Sequence, residues 1–366
     1  MTRPVALLSA GLMLTLVLAL ALLTGSAPRR ATTGAGVRDL VIVSTTDTAV
    51  FAPVVADFQR LNPDIRVRYQ LMDAEPLYNL FLEEARAGRP VGDMLLSTSM
   101  DLQVRLVNDG HAMPHSSDNT AAIPDWARWR DEAFGISFEP VVMVFNTALM
   151  RGRSVPASRS ALLAELRRDP DFWRGRVGTY DIERSGLGYL LASQDARLHS
   201  ESAVLIDALG DVGVVTSENT SALLDRMERG EIVMAYNLLG SYARGRIEAG
   251  APLTIVYPQD YTLAVSRTAL IPRNAANPRD ARLFLDYLLS LRGQRVLTEQ
   301  SQLNAVRSEI AGPYHNLGIR SAEIGLLKPI ALGPGLLVYL DQRKRAAMID
   351  SWRSSLGRGD RRISSP

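Results

Sequence analysis

The sequence predicts an α/β protein built from two similar halves. Short β-branched apolar runs alternate with stretches whose apolar residues recur at helical spacing. Hydroxyl residues close several of the runs, and the alternation starts afresh soon after Asn146. The size agrees, because 366 residues leave room for roughly two domains with a sizeable core in each. With 46% hydrophobic and 22% charged residues, the chain falls among globular proteins and not disordered ones.

Residues 37–44 (VRDLVIVS) read as a strand delivering Thr45-Thr46-Asp47. A helix follows over 48–61, with Val50, Phe51, Val54, Val55, Phe58 and Leu61 on one face, stopped by Pro63. Residues 65–71 (IRVRYQL) alternate like a half-buried strand, and a second helix fits 75–87, closed by Gly88. The run 93–96 reads as a buried strand ending at Ser97-Thr98-Ser99. In open α/β sheets the ligand crevice lies outside such carboxyl ends. The second half repeats this logic without repeating the sequence. Strands are expected at 138–146, 176–181, 212–216, 231–236 and 253–257, and helices at 160–168, 188–198, 220–229, 279–291 and 341–356.

The N-terminus breaks from the average. Residues 5–23 carry no charge, follow Arg3 and precede Thr24-Gly25-Ser26-Ala27, the order of parts in an export signal. Residues 1–27 are therefore expected to be a signal peptide, with Gly25-Ser26-Ala27 or Thr33-Gly34-Ala35 as the cleavage site. The run is also long enough to span a bilayer, so an uncleaved anchor is the competing reading. There are no cysteines, which excludes disulfides, thiolate metal sites, a cysteine nucleophile and a lipidated N-terminal cysteine. The net charge is +2 and the basic residues are interleaved with acids, Lys328 and Lys344 being the only lysines. No basic stripe stands out, so nucleic acid is not an expected partner.

Seven stretches together carry a resemblance: STTDTAVFAPVVADFQRLNP (44–63), GDMLLSTSMD (92–101), FEPVVMVFN (138–146), TYDIERSGLGYLLASQDA (179–196), MERGEIVMAYNLLGSYA (227–243), the segment 257–290, and PIALGPGLLVYLDQRKRAAMIDSW (329–352). The chain resembles bacterial extracellular solute-binding proteins of the periplasmic-binding type II fold, nearest to the iron(III)-, hexose-phosphate- and phosphoglycerate-related branch. That resemblance implies two lobes joined by two crossover strands, closing on ligand by a hinge. It places lobe one at 37–145 plus 261–366 and lobe two at 146–260, with crossings near 145–146 and 258–260. It also implies an ABC permease as partner, a monomer, and no cofactor.

Candidate ligand-binding residues follow from strand ends and helix starts. Ser44, Thr45 and Thr46 bring hydroxyls and free amides to a helix N-terminus, a place that attracts anions; simple capping by a threonine or Asp47 is the alternative. Thr98 and Ser99 carry the same pair of readings. Arg184, Ser185 and Gly186 sit in a Gly-x-Gly turn without the third glycine of a dinucleotide loop, Leu191 standing there instead. They can present amides and a guanidinium to an anion, or simply connect a strand to a helix. Asn219 with Thr220 reads as a helix cap. By the resemblance, Asn219, Tyr236 and Asn237 face the cleft, against capping, packing and turn roles. Tyr257, Gln259, Asp260 and Tyr261 lie at the implied second crossing, where ligand contact and hinge constraint coincide.

Metal and enzyme readings find little to stand on. Iron-binding relatives use adjacent tyrosines, and no Tyr-Tyr dipeptide occurs. His111 and His115 are separated by Pro114, and His199 and His315 are isolated. No G-x-S-x-G, H-E-x-x-H or G-x-x-x-x-G-K-[ST] is present. Trp126 and Trp129 fit one buried helix face or a sugar-stacking pair. The expectation is a periplasmic binding protein that captures a small anionic or polyhydroxylated solute, of the phosphate-ester or carboxylate class, for an ABC importer. The alternative is a ligand-sensing subunit feeding a membrane histidine kinase, and an exported hydrolase is a third possibility without a motif behind it.

Overall fold

The structure, a computed structural model, describes residues 36–310 and 325–363, the last six of these as backbone only. The expected signal segment, its cleavage sites and His315 lie outside the described residues. The described residues from Asp39 onward form one compact unit. Among the described residues, no helix is long and apolar enough to cross a membrane.

Two sheets organise the chain. The first half contributes β1 (Arg38–Ser44), α1 (Thr48–Leu61), β2 (Ile65–Leu71), α2 (Ala74–Arg86), β3 (Met94–Ser97), α3 (Met100–Asn108), α4 (Asp118–Ala121), β4 (Arg128–Trp129) and β5 (Ala133–Gly135). The second sheet opens with β6 (Glu139–Asn146), followed by α5 (Arg159–Arg168), α6 (Pro170–Trp173), β7 (Val177–Tyr180), α7 (Gly186–Leu198), α8 (Ser202–Asp211) and β8 (Val215–Ser217). Then come α9 (Thr220–Glu228), β9 (Met234–Leu239), α10 (Gly240–Glu248), β10 (Leu253–Val256) and β11 (Thr262–Val265). The chain returns to the first sheet as β12 (Thr268–Leu270), continues through α11 (Pro278–Leu289) and α12 (Leu291–Glu299), and ends with β13 (Leu327–Pro329) and α13 (Gln342–Ile363).

The first sheet runs β2-β1-β3-β12-β5-β4 and the second β13-β11-β6-β9-β7-β8, with β10 also on β6. β1 and β3 are parallel, Ser44 opposite Leu96, so their carboxyl ends lie side by side. In the second sheet β7 is parallel to both β8 and β9. Between β1 and β12 the chain changes sheet twice, through residues 136–138 and through Ser266-Arg267, and β13 then lies in the second sheet again. Both exchange points lie on the first-sheet side of 145–146 and 258–260, because β6 stays in the second sheet through Asn146 and β11 is still there at Val265. The two exchange segments are bonded to each other: Ile136 N–H donates to Arg267 C=O at 2.8 Å, and Arg267 N–H to Ser137 Oγ at 3.1 Å.

Core packing explains the register. Phe51, Val54 and Phe58 of α1 pack with Phe284 and Leu288 of α11 beneath the first sheet. A second cluster lies between α5, α8 and the second sheet around Met143, Phe145, Leu162, Trp173 and Leu209. Trp126 and Trp129 do not share a helix face: Trp126 sits in a short 3-10 turn and packs against the first cluster, while Trp129 is in β4 and faces a different one. The expected helix fails there because a turn and a hairpin intervene.

Candidate functional site

Six helices begin beside one cleft. α1, α2 and α3 start just after the carboxyl ends of β1, β2 and β3; α7, α9 and α10 start after those of β7, β8 and β9. The cleft between these starts has a volume of about 510 Å³. Its lining includes Thr45, Asp47, Asp73 and Thr98 from the first-sheet side, and Tyr180, Arg184, Ser185, Gly186, Glu218, Asn219 and Tyr242 from the second. Arg267, in the segment that joins the sheets, lines it as well.

Capping chemistry separates the helix starts. Ser185 Oγ accepts from Gly188 N–H at 3.1 Å and Asn219 Oδ1 from Ala222 N–H at 3.0 Å, so these two side chains serve their own helices. Asp47, Asp73, Ser99 and Leu239 make no side-chain cap bond, which leaves first-turn amides of α1, α2, α3 and α10 without that partner. Positive helix ends and donors thus converge on the cleft from both sides.

The expected residues divide into two groups. Thr45, Thr98, Arg184, Ser185, Gly186 and Asn219 line the cleft. Thr45 Oγ1 accepts from Thr98 N–H at 3.2 Å, and the two hydroxyls lie 3.5 Å apart, so adjacent parallel strands bring these residues together. Arg184 is mostly exposed and ion-paired with Glu218. Ser44, Thr46 and Ser99 are buried just behind: Ser44 Oγ accepts from Thr46 N–H at 3.0 Å, and Thr46 Oγ1 accepts from Arg267 Nη1 at 2.6 Å. Ser99 is the close neighbour of Gly186. A Cβ on Gly186 would stand 2.4 Å from Ser99 Oγ, so only glycine permits α7 to approach the opposite side this closely.

Tyr236 and Asn237 do not line the cleft. Both are buried in a network around Asp195, whose Oδ2 accepts from Tyr236 OH at 2.7 Å and from Asn237 Nδ2 at 2.7 Å. Tyr261 OH donates to the other oxygen at 2.5 Å. Arg159, fully buried, donates to Tyr236 OH at 2.8 Å, to Asp260 at 3.0 Å and to Tyr261 C=O at 2.7 Å. This network locks α5, α7 and β9 together, and it accounts for Asp260 and Tyr261 too. Strand β9 runs from Met234 to Leu239 and not from 231 to 236, so Tyr236 and Asn237 fall in its buried middle and not at its carboxyl end.

Arg267 is the residue that sequence reading missed. It is 1% exposed, its Nε lies 3.3 Å from Glu139 Oε1, and its Nη2 has no hydrogen-bond partner. Burial opposes the charge, but the pull of its neighbours, the Glu139 carboxylate among them, more than offsets it and holds the guanidinium protonated. The available signal was a lone arginine inside the apolar and hydroxyl run TLAVSRTALI. Tyr242 completes the wall: burial pushes its phenol up, so it stays protonated, and its oxygen accepts from Asp47 N–H at 3.4 Å. Ser221 Oγ donates to Asp47 Oδ2 at 2.9 Å. These two contacts bridge the cleft from the second-sheet side to the first. Among the described residues, no group of three or more His, Asp or Glu is placed to hold a metal ion.

Comparison with known proteins agrees with this geometry. Residues 40–300 match the family model for bacterial extracellular solute-binding proteins. A substrate-binding protein of an ABC transporter from Agrobacterium tumefaciens is 37% identical and superposes with a TM-score of 0.84, covering 89% of this chain and 96% of that one. AfuA from Actinobacillus pleuropneumoniae, solved with fructose-6-phosphate bound, is 18% identical, with a TM-score of 0.73 over 87% of this chain and 98% of its own. Iron-bound HitA from Pseudomonas aeruginosa is 20% identical, with a TM-score of 0.70 over 87% of this chain and 99% of its own. No curated protein matches. The fold is the two-lobed periplasmic-binding type II fold.

Proposed function

The chain belongs to the bacterial extracellular solute-binding proteins, and from that premise we propose that it closes on a small anionic solute and delivers it to an ABC permease. It is a binding protein and not an enzyme. The solute is of the phosphate-ester or carboxylate class, and capture takes place in the periplasm. One observation carries this reading. Arg267, a buried guanidinium half paired with Glu139 and with Nη2 unpartnered, lines a cleft ringed by helix N-termini. An oxyanion there gains charge-assisted hydrogen bonds in a low-dielectric setting, whereas a bare metal cation would be repelled by the same group.

The position of Arg267 also suggests how capture couples to closure. The hinge we propose runs through residues 136–138 and 266–267, where the chain changes sheet. Arg267 then sits on the hinge axis and touches Thr46 of lobe one and Glu139 of lobe two. A ligand bound to it contacts both lobes at once, which favours the closed arrangement. Equilibrium titration of the purified protein with inorganic phosphate, sugar phosphates and simple carboxylates, read by calorimetry and small-angle scattering, tests the reading. Saturable binding with a smaller radius of gyration is expected. Absence of binding and of contraction across all three ligand sets would remove it.

A further inference from the structure

The cleft carries more negative charge than a receptor for a plain anion needs. Its cations are Arg184 and Arg267; its acids are Asp47, Asp73 and Glu218. Arg184 is already ion-paired with Glu218, and Arg267 is shared with Glu139 at 3.3 Å. That leaves Asp47 and Asp73. Asp47 receives one hydrogen bond, from Ser221, and the Asp73 carboxylate has no hydrogen-bond or ion-pair partner among the described residues. Neither side chain turns back to cap its helix. On its own such a pair of acids would say nothing about a ligand. It shares the cleft, however, with Arg267, which is 99% buried and keeps Nη2 unpartnered, and that group calls for an anion.

We propose that the solute is a compact zwitterion, with its oxyanion seated on Arg267 and a protonated amine facing Asp73 and Asp47. The proposal rests on the oxyanion-receptor reading and narrows its ligand class. Both carboxylates line the same cleft as Arg267, so they penalise a plain anion bound there. An amine on the same molecule turns that penalty into attraction, and it selects against the plain anions, which are built with one feature fewer.

Two matched pairs test this and separate the two kinds of oxyanion: phosphoethanolamine against ethyl phosphate, and β-alanine against propionate. Calorimetric titration of the wild-type protein should show the aminated member of at least one pair binding at least tenfold more tightly. Asp73→Asn should reduce that preference at least threefold, weakening the aminated ligand and strengthening the plain one, with an unchanged melting temperature to show that the fold is intact. Arg267→Gln should weaken both members. If plain anions bind as tightly as their aminated partners, or if Asp73→Asn leaves the preference unchanged, the zwitterion is wrong while the oxyanion receptor stands. If no member of either pair binds the wild type, the zwitterion falls, and the titrations with inorganic phosphate and sugar phosphates decide the oxyanion receptor.

Discussion

At Arg267 a buried guanidinium meets Thr46 from one lobe, Glu139 from the other and the edge of the cleft between them. Replacing it by glutamine has two separable consequences. Binding loses charge-assisted hydrogen bonds of about 1.5–3 kcal/mol each, so affinity should fall by roughly tenfold to a hundredfold. Folding loses the partner of a fully buried Glu139, a change that typically costs about 3–5 kcal/mol. Arg267→Lys keeps the charge but not the planar fork, so it should recover much of the stability and little of the affinity. Urea denaturation and titration of both variants would show whether the two losses separate in this way. Thr45 offers a milder check. Its hydroxyl accepts from Thr98 N–H, so Thr45→Ala should cost about 1 kcal/mol of stability and weaken binding several-fold. Unchanged affinity would take Thr45 out of the site.

Helix α3 carries a pH dependence in its first turn. Asp101 is 3% exposed, and burial pushes its carboxyl up to about 7, against the smaller opposing effect of a hydrogen bond from Leu102 N–H. The folded state therefore keeps its proton where the unfolded chain, near 3.8, has lost it. Stability must then fall as pH rises from about 4 through 7, by up to a few kcal/mol from this one group. Asp101→Asn should flatten that slope, which urea midpoints at pH 5 and pH 8 would reveal; parallel profiles for the two proteins would refute the assignment. Helix α3 itself was not among the expected elements, whereas longer and more regular ones were legible from sequence. Helix α1 and strand β2 occupy the expected residues, because their apolar spacing and the stop at Pro63 are local signals. Strands β4, β5, β11 and β12 were not, since each is two to four residues long and owes its form to pairing across the molecule. Strand β9 shifted because the run EIVMAYNLL is apolar almost throughout, with no alternation to mark where a doubly buried strand begins.

Across the whole molecule, the C-terminal segment ties the first-sheet side to the second. β13 pairs with β11 of the second sheet, Leu332 N–H donates to Trp126 C=O on the first-sheet side, and α13 packs on α8. From α13, Arg345 reaches Glu75 of α2 at 2.7 Å while its guanidinium lies over the Tyr189 ring of α7 at 4.4 Å. The pair is partly exposed, so Arg345→Gln should release about 1 kcal/mol or less and weaken apparent ligand affinity up to about fivefold without touching the ligand. An affinity equal to wild type would show that this contact does not bias closure. The two-lobed plan was legible from the restart of the α/β pattern, and half of the site from hydroxyls at strand ends. The place where the chain changes sheet was not, because the connections 136–138 and 266–267 are only two or three residues long and carry no linker signal of their own. Arg267 was hidden with it, since its role arises only when residues 136–138 and 266–267 are brought together. Solute capture as proposed turns on whether Arg267 seats an oxyanion in this cleft. Mass spectrometry of small molecules released by unfolding the wild-type and Arg267→Gln proteins, each purified from the compartment where it folds, decides the matter. A near-stoichiometric oxyanion-bearing compound is expected from the wild type and none from the variant; equal release from both, or release of a metal ion alone, would overturn the role assigned to Arg267.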